Sequence, residues 1–345
     1  MPKNSVKILF LMTLISGVLI SLSANSWMGA WMGLEINLLS FIPLLSSSHN
    51  NMLSTEASLK YFLIQVIASC MLLFIILLKI NMQEMFYFQK MKSWNNLILT
   101  PLLMKTACAP FHWWFPSVME GLSWMNCFII LSLQKIAPLL LISYLMMNNF
   151  YIQFTIIFSA LIGAIGGLNQ MSLRKILSFS SINHLGWMLT TMIMGSNLWV
   201  LYFSIYTINI IMIIYMTSMN NISFLLQTFN SLNQKKMIKF TLFMSILSLG
   251  GLPPQMGFFP KWITIQFMIQ NSMIITSFIL IMCSLLTLYY YLRLMFTTLT
   301  ITNSEIIWSI FIFPIENNSN QKMIMFFLST LLLGMLVCTL ILLMF

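Results

Sequence analysis

Four ionisable side chains fall inside apolar runs long enough to cross a bilayer: Glu35, Lys105, Lys135 and Lys261. A charge at the centre of a membrane helix costs at least about 2.5–3.5 kcal/mol, so such groups persist where they pair, line a hydrated path or pass protons. A single buried lysine is readily explained by snorkelling or by one structural ion pair. Four groups at similar depth fit a relay better. Carboxylates and amines suit that work: each has two protonation states, burial disfavours the charged one, and an opposite charge nearby restores it.

The segments that hold these groups are unusual in themselves. Lys105 opens KTACAPFHWWFPSVMEGLSW, residues 105–124, where Pro110, His112 and Pro116 interrupt an apolar run. Proline removes a backbone donor and breaks the helical ladder. At membrane depth the freed backbone groups must be met by protein or by water, so a lysine beside such a break points to a hydrated internal site. LGGLPPQMGFFPKW repeats the arrangement, with Pro253, Pro254 and Pro260 just ahead of Lys261. His112 and His184 (in SFSSINHLGW) add two imidazoles, although a histidine in a helix is as often a hydrogen-bonded core residue. Glu120 falls at a span end, where solvation makes a carboxylate ordinary, and His49 lies in a polar loop.

The elements that must position these residues follow from composition. Hydrophobic residues make up 59% of the 345 and charged residues 6%, which excludes an ordinary soluble domain. A spanning helix needs about 20 apolar residues. On that measure helices are predicted near 6–22, 26–45, 60–78, 95–115, 124–146, 150–168, 174–195, 198–219, 239–268 (interrupted), 273–296 and 323–343, giving an all-α polytopic membrane protein of about eleven spans. An odd number puts the termini on opposite sides. Alternate assignment gives the N-terminal side ten loop Lys or Arg and the other side three, so the positive-inside rule places the N-terminus in the cytoplasm-equivalent compartment. No basic cluster with interleaved aromatics suggests nucleic acid.

The two interrupted spans lie five spans apart. If 1–148 and 149–298 are five-helix repeats, the second must be inverted, and paired broken helices in two halves are a pointer to a transport site. Lys105 and Lys261 then become counterparts. Residues 299–345 remain as a connecting loop and a C-terminal transmembrane helix, with 297–322 either along the membrane surface or against partners.

KTACAPFHWWFPSVMEG, QMSLRKILSFSSINHLGWM and SLGGLPPQMGFFPKW, in that order, with GLEINLLSFIPLL and LQKIAPL, carry a family resemblance. They are similar to the signatures of the antiporter-like proton-channel subunits of respiratory complex I, NADH:ubiquinone oxidoreductase, in its mitochondrial, insect form. The resemblance spans most of residues 6–296 and implies that N-terminal helices carried by bacterial members are missing. It implies a core subunit that moves protons across the inner mitochondrial membrane, with its N-terminus in the matrix and its C-terminus in the intermembrane space. Its partners would be other membrane subunits of the complex, neighbouring antiporter-like subunits among them, and lipid. NADH, FMN, iron–sulfur clusters and ubiquinone would belong to other subunits, with no cofactor in this chain.

Residue by residue, the resemblance makes Glu35 the carboxylate that pairs with Lys105, the lysine of the first broken helix. Lys135 becomes the central lysine and Lys261 the lysine of the second broken helix, on the exit side, with His112 and His184 at polar positions along the same axis. Waters linking Lys105, Lys135 and Lys261 would complete a relay whose members titrate as a set. A cation/proton antiporter subunit would use the same lysines, whereas a structural spacer would need none of the four charges.

Other features carry less. Cys70, Cys108, Cys127, Cys283 and Cys338 sit in apolar runs and form no CxxC pair, so they read as packing residues and no metal site is expected. GAIGG at 163–167 matches part of a dinucleotide fingerprint, but inside an apolar span it reads as close helix packing.

Overall fold

The computed structural model describes residues 2–46, 52–85, 92–146, 148–225, 227–228, 236–301, 323–331, 333–334 and 336. His49 and Cys338 fall outside them, as do residues 302–322 of the predicted connecting loop. The regular structure within them is helical, with one isolated antiparallel bridge between Ser172 and Phe224. The helices are α1 (Pro2–Ser23), α2 (Trp27–Ser46), α3 (Met52–Met85), α4 (Lys92–Thr106), α5 (Trp114–Gly121), α6 (Trp124–Leu131) and α7 (Leu133–Leu145). They continue with α8 (Phe150–Gly166), α9 (Leu173–Met194), α10 (Ser196–Met219), α11 (Lys236–Gly250), α12 (Phe258–Gln270) and α13 (Ile274–Ile301). A further helical stretch covers 323–331 and sets Phe327 edge-on to Tyr215 of α10.

Among the described residues, six spans are long and apolar enough to cross a membrane: Ser5–Ser23, Trp27–Ser46, Met52–Asn81, Trp124–Leu145, Ser196–Met219 and Ile274–Phe296. Their outward residues are apolar, as Val6, Leu9 and Met12 on α1 show. α9 is the opposite case. Its Ser178, Ser180, Ser181, Asn183, His184, Thr190 and Thr191 are all buried. In lipid a polar helix gains by turning inward, where its side chains find partners, and α9 packs against α5, α8, α10, α12 and α13. Close approach of α8 explains the glycines between them: a Cβ on Gly163 would stand 2.5 Å from the Asn183 nitrogen.

The interrupted spans share a backbone plan. α4 and α11 are each followed by a residue with positive φ, Ala107 at 61° and Gly251 at 86°. The next amide reaches back to close the helix end, Cys108 N–H to the Leu103 carbonyl at 3.0 Å and Leu252 N–H to the Leu247 carbonyl at 3.5 Å. Both pairs follow the left-handed C-terminal cap that satisfies orphan carbonyls. Residues 107–113 and 251–257 then lead into α5 and α12, which open on Trp-Phe-Pro and Phe-Phe-Pro. Pro110, Pro253 and Pro254 lie in the unwound stretches, as expected. Pro116 and Pro260 do not: each is the third residue of the new half-helix, where its missing N–H has no intrahelical partner to lose. They restart helices; they do not break them.

Two further boundaries differ from expectation. α3 runs well beyond the predicted 60–78, because hydropathy marks only the lipid-crossing part; its first turns carry an exposed Glu56–Lys60 pair at 3.7 Å. The predicted helix 124–146 is two pieces hinged at Ser132 (φ −116°, ψ −80°). No proline or glycine announces that hinge. The Ser132 hydroxyl donates to the Phe128 carbonyl at 2.7 Å, a back-bond that bends helices.

Candidate functional site

Lys105, Lys135 and Lys261 are 8%, 2% and 6% exposed, so the apolar spans do bury their cations. Each is placed beside an irregularity. Lys105 is next to last in α4, Lys135 lies just past the Ser132 hinge in α7, and Lys261 follows the proline that restarts α12.

Lys105 and Lys135 line one cavity, with a volume of about 20 Å³ open to the centre of a water-sized sphere, room for about one water. Asn37, Tyr61, Gln65 and Gln134 supply polar wall around it. Gln134 Nε2 donates to Asn37 Oδ1 at 2.9 Å, tying α7 to α2. Gln65 Nε2 donates to the Lys105 carbonyl at 3.3 Å, tying α3 to the end of α4. A buried glutamine amide in an apolar span is itself a signal, readable beside the charges. Asn37 and Gln134 were equally visible, in GLEINLLS and LQKIAPL.

The expected contact between Glu35 and Lys105 is not made. Among the described residues the ion pairs are Glu56–Lys60 and Glu120–Lys175, the second at 2.7 Å. Glu35 lies on α2 outside the cavity wall, with a buried Oε1 that has no hydrogen-bond partner, and acts on Lys105 only as a nearby charge. Glu120 is half-exposed, as expected, and its carbonyl also accepts from Arg174 Nη1 at 3.0 Å.

Lys135 Nζ has no hydrogen-bond partner in the chain. It rests between two aromatic faces, 5.3 Å from the Phe115 centroid and 5.7 Å from that of Tyr206. Such contacts recover about 0.5–2 kcal/mol, only a part of the cost of burying an ammonium. Tyr206 in turn lies 5.1 Å from the His184 ring, whose Nδ1 is 2.9 Å from the Tyr202 hydroxyl. His184 is within electrostatic reach of both Lys135 and Lys261. No spacing rule marks the two tyrosines in the chain, since they come from α10 and meet α9 only by packing.

Lys261 is held differently. Its Nζ donates to the carbonyls of Leu249 and Gly250 at 3.0 and 2.8 Å, capping the end of α11. Its side chain packs over Gly251, where a Cβ would stand 3.0 Å from Cδ. His112 is not brought to the lysines. It sits in the unwound segment 107–113 with Nδ1 3.2 Å from the Pro110 carbonyl and its ring on Trp113. Cys108, Cys127 and Cys283 are buried, as packing residues should be, whereas Cys70 faces outward on α3.

Residues 24–287 match the family described as NADH:quinone oxidoreductase/Mrp antiporter, TM. The NADH-ubiquinone oxidoreductase chain 2 of Aedes aegypti is 47% identical over 99% of both chains. That of Anopheles gambiae is 46% identical over 91% of both. Among solved structures, one of respiratory complex I from Thermus thermophilus superposes over 97% of this chain and 79% of its own, with a TM-score of 0.82 at 21% identity. A structure of the Mrp complex from Dietzia sp. DQ12-45-1b covers 83% of this chain and 59% of its own, with a TM-score of 0.69 at 17% identity; at such identities these two likenesses speak for the fold. With those matches added to two capped helix breaks and three buried lysines, the chain belongs to the NADH:quinone oxidoreductase/Mrp antiporter membrane family, among the NADH-ubiquinone oxidoreductase chain 2 proteins.

Proposed function

We propose that this chain carries protons across the inner mitochondrial membrane as a core subunit of NADH:ubiquinone oxidoreductase, through Glu35, Lys105, Lys135, His184 and Lys261 with intervening water. The observation that carries the reading is the placement of Lys135: buried, without a hydrogen-bond partner, with the Lys105 cavity on one side and Tyr206 and His184 on the other. A purely structural lysine would be paired. A lysine that must gain and lose a proton is better held by weak aromatic contacts and a small hydrated space, which stabilise neither form strongly.

In this reading Glu35 sets the charge at Lys105 from a distance, and a proton passes by way of cavity water to Lys135. Charge at Lys135 then acts on His184 and, through it, on Lys261. Lys261 can swap its two carbonyl acceptors for water without moving its backbone. His112 serves as a backbone-bound residue of the first break, off the main line. Redox cofactors reside in other subunits, and neighbouring antiporter-like membrane subunits flank this one.

The finer architecture belongs to the same proposal: eleven spans, with α4–α5, α6–α7 and α11–α12 each counted as one, two inverted repeats over 1–148 and 149–298, and a C-terminal span within 299–345. The matched caps after α4 and α11 support the repeat. The loop charges support an N-terminus in the matrix and a C-terminus in the intermembrane space. Lys135→Met in the assembled complex tests the function. Protons moved per NADH should fall sharply, and unchanged proton yield and turnover would sink the reading. Pumping that instead required sodium or potassium would favour a cation/proton antiporter.

A further inference from the structure

Asn209 on α10 is 1% exposed, within the stretch IYTINIIMII. Its Oδ1 accepts from the Ser248 hydroxyl at 3.0 Å. Ser248 is fully buried near the end of α11, immediately before Leu249 and Gly250, whose carbonyls hold Lys261 Nζ. The Ser248 carbonyl also accepts from Gly251 N–H at 3.1 Å, within the left-handed cap. On the far side of the unwound stretch, Gly257 packs so closely that a Cβ there would run into the Ser248 carbonyl oxygen and stand 3.4 Å from Asn209 Nδ2. One side chain from an unbroken helix therefore touches both edges of the second break. Ile205, one turn earlier on α10, packs with Phe259 and Ile263 of α12, so α10 seats the restarted half-helix as well.

The first break has a parallel. Gln65 on α3 donates to the Lys105 carbonyl, two residues before Ala107, as Ser248 stands three before Gly251. α3 and α10 are the third and eighth spans, counterparts under the repeat proposed above. Packing alone does not ask for an amide at either place, since leucine would fill the space with no polar group to satisfy. A hydrogen bond from a neighbouring helix holds a half-helix end that has lost its own ladder.

We propose that Asn209 is a positioning residue for Lys261: it holds the end of α11 in place, so that the Leu249 and Gly250 carbonyls keep their geometry while Lys261 trades them for water and returns. This rests on the proton-carrying reading of Lys261 above. Each time the lysine turns to water those carbonyls lose their donor, and without the tie to α10 the half-helix end is free to relax. Lys261 then returns to a displaced pair of acceptors, and proton transfer is lost while NADH oxidation continues.

The test is Asn209→Leu, Ser248→Ala and their double variant in the assembled complex, in sealed inner-membrane vesicles. Protons moved per NADH are read after normalising to the amount of assembled complex. Each single variant should bring the yield to about half or less, because a small misplacement of a reacting group costs rate steeply. The double variant should fall no further than the lower single, since both substitutions remove one bond. Ser248→Thr keeps the hydroxyl and should pump close to the parental yield. Asn209→Leu that lowers only the amount of assembled complex, or Ser248→Thr that loses as much yield as Ser248→Ala, overturns the positioning role. Lys135→Met in the same assay separates the two claims: if it abolishes pumping while Asn209→Leu pumps normally, only the positioning role fails. If Lys135→Met itself pumps normally, the proton-carrying reading fails and the positioning role with it.

Discussion

The two broken helices share one left-handed cap and use it in opposite ways. In the first, Lys105 stands before the break and its side chain lines a cavity, while the carbonyl of Lys105 is what receives a hydrogen bond, from Gln65. In the second, Lys261 stands after the break and folds back so that its ammonium caps α11. The two lysines are therefore not positional counterparts. By their spacing from Ala107 and Gly251, it is Leu249 that occupies the place of Lys105, and the Leu249 carbonyl is one that Lys261 grips. One break turns its cation toward a cavity with room for about one water; the other uses its cation to finish a helix. A cation at a helix C-terminus is also favoured by the helix dipole.

That difference predicts unequal consequences for the same substitution. Lys261→Met should cost both pumping and stability, because two buried carbonyls lose their donor at about 1–3 kcal/mol for each group left unmet. Less assembled complex and a lower proton yield are the expected outcome, read by native gel and by vesicle acidification. Lys105→Met should lower the yield without lowering assembly, since it removes a buried charge and no protein hydrogen bond of its side chain. Equal assembly defects in both variants would break the comparison.

The caps offer the next test. Gly251→Val forces a branched side chain into positive φ, which costs about 1–2 kcal/mol before its contact with Lys261 is counted. Ala107→Gly relieves the same conformation in the first break, and its gain is offset by about 0.4–1 kcal/mol of added freedom in the unfolded chain. Thermal inactivation of the assembled complex should therefore move down clearly for the first and hardly at all for the second. A parallel fall in both would mean that the two caps do not share a conformation.

The smallest effect is expected at the amide tie across the first half. Gln134→Leu removes the bond to Asn37, worth roughly 0.6 kcal/mol within a membrane. It also removes one polar wall of the cavity, so a modest fall in proton yield should accompany a barely changed melting temperature. A large loss of assembly would make Gln134 a structural keystone and the cavity incidental.

Much of this was legible in the chain. Apolar runs of spanning length fixed most helices to within a few residues, because in lipid the backbone must satisfy itself and hydropathy is the dominant signal. Prolines beside Lys105 and Lys261 marked both breaks, although Pro43, Pro101 and Pro138 lie inside intact helices and look no different in sequence. The buried lysines stood out because an unexplained charge in an apolar run is expensive wherever it sits.

What the chain could not disclose was direction and partnership. Whether Glu35 meets Lys105 depends on the rotation of α2 against α4, and the packing turns Asn37 toward the cavity where Glu35 was expected to meet its lysine. The hinge at Ser132 arises from a side-chain back-bond that any mid-helix serine could make. Tyr202 and Tyr206 reach His184, and Tyr206 reaches Lys135, only because α10 packs against the polar α9. Sequence determined which charged groups lie within the membrane spans, since span position follows from local hydropathy; tertiary structure alone decided which side chains turn inward and face one another, since that turns on helix rotations of a fraction of a turn.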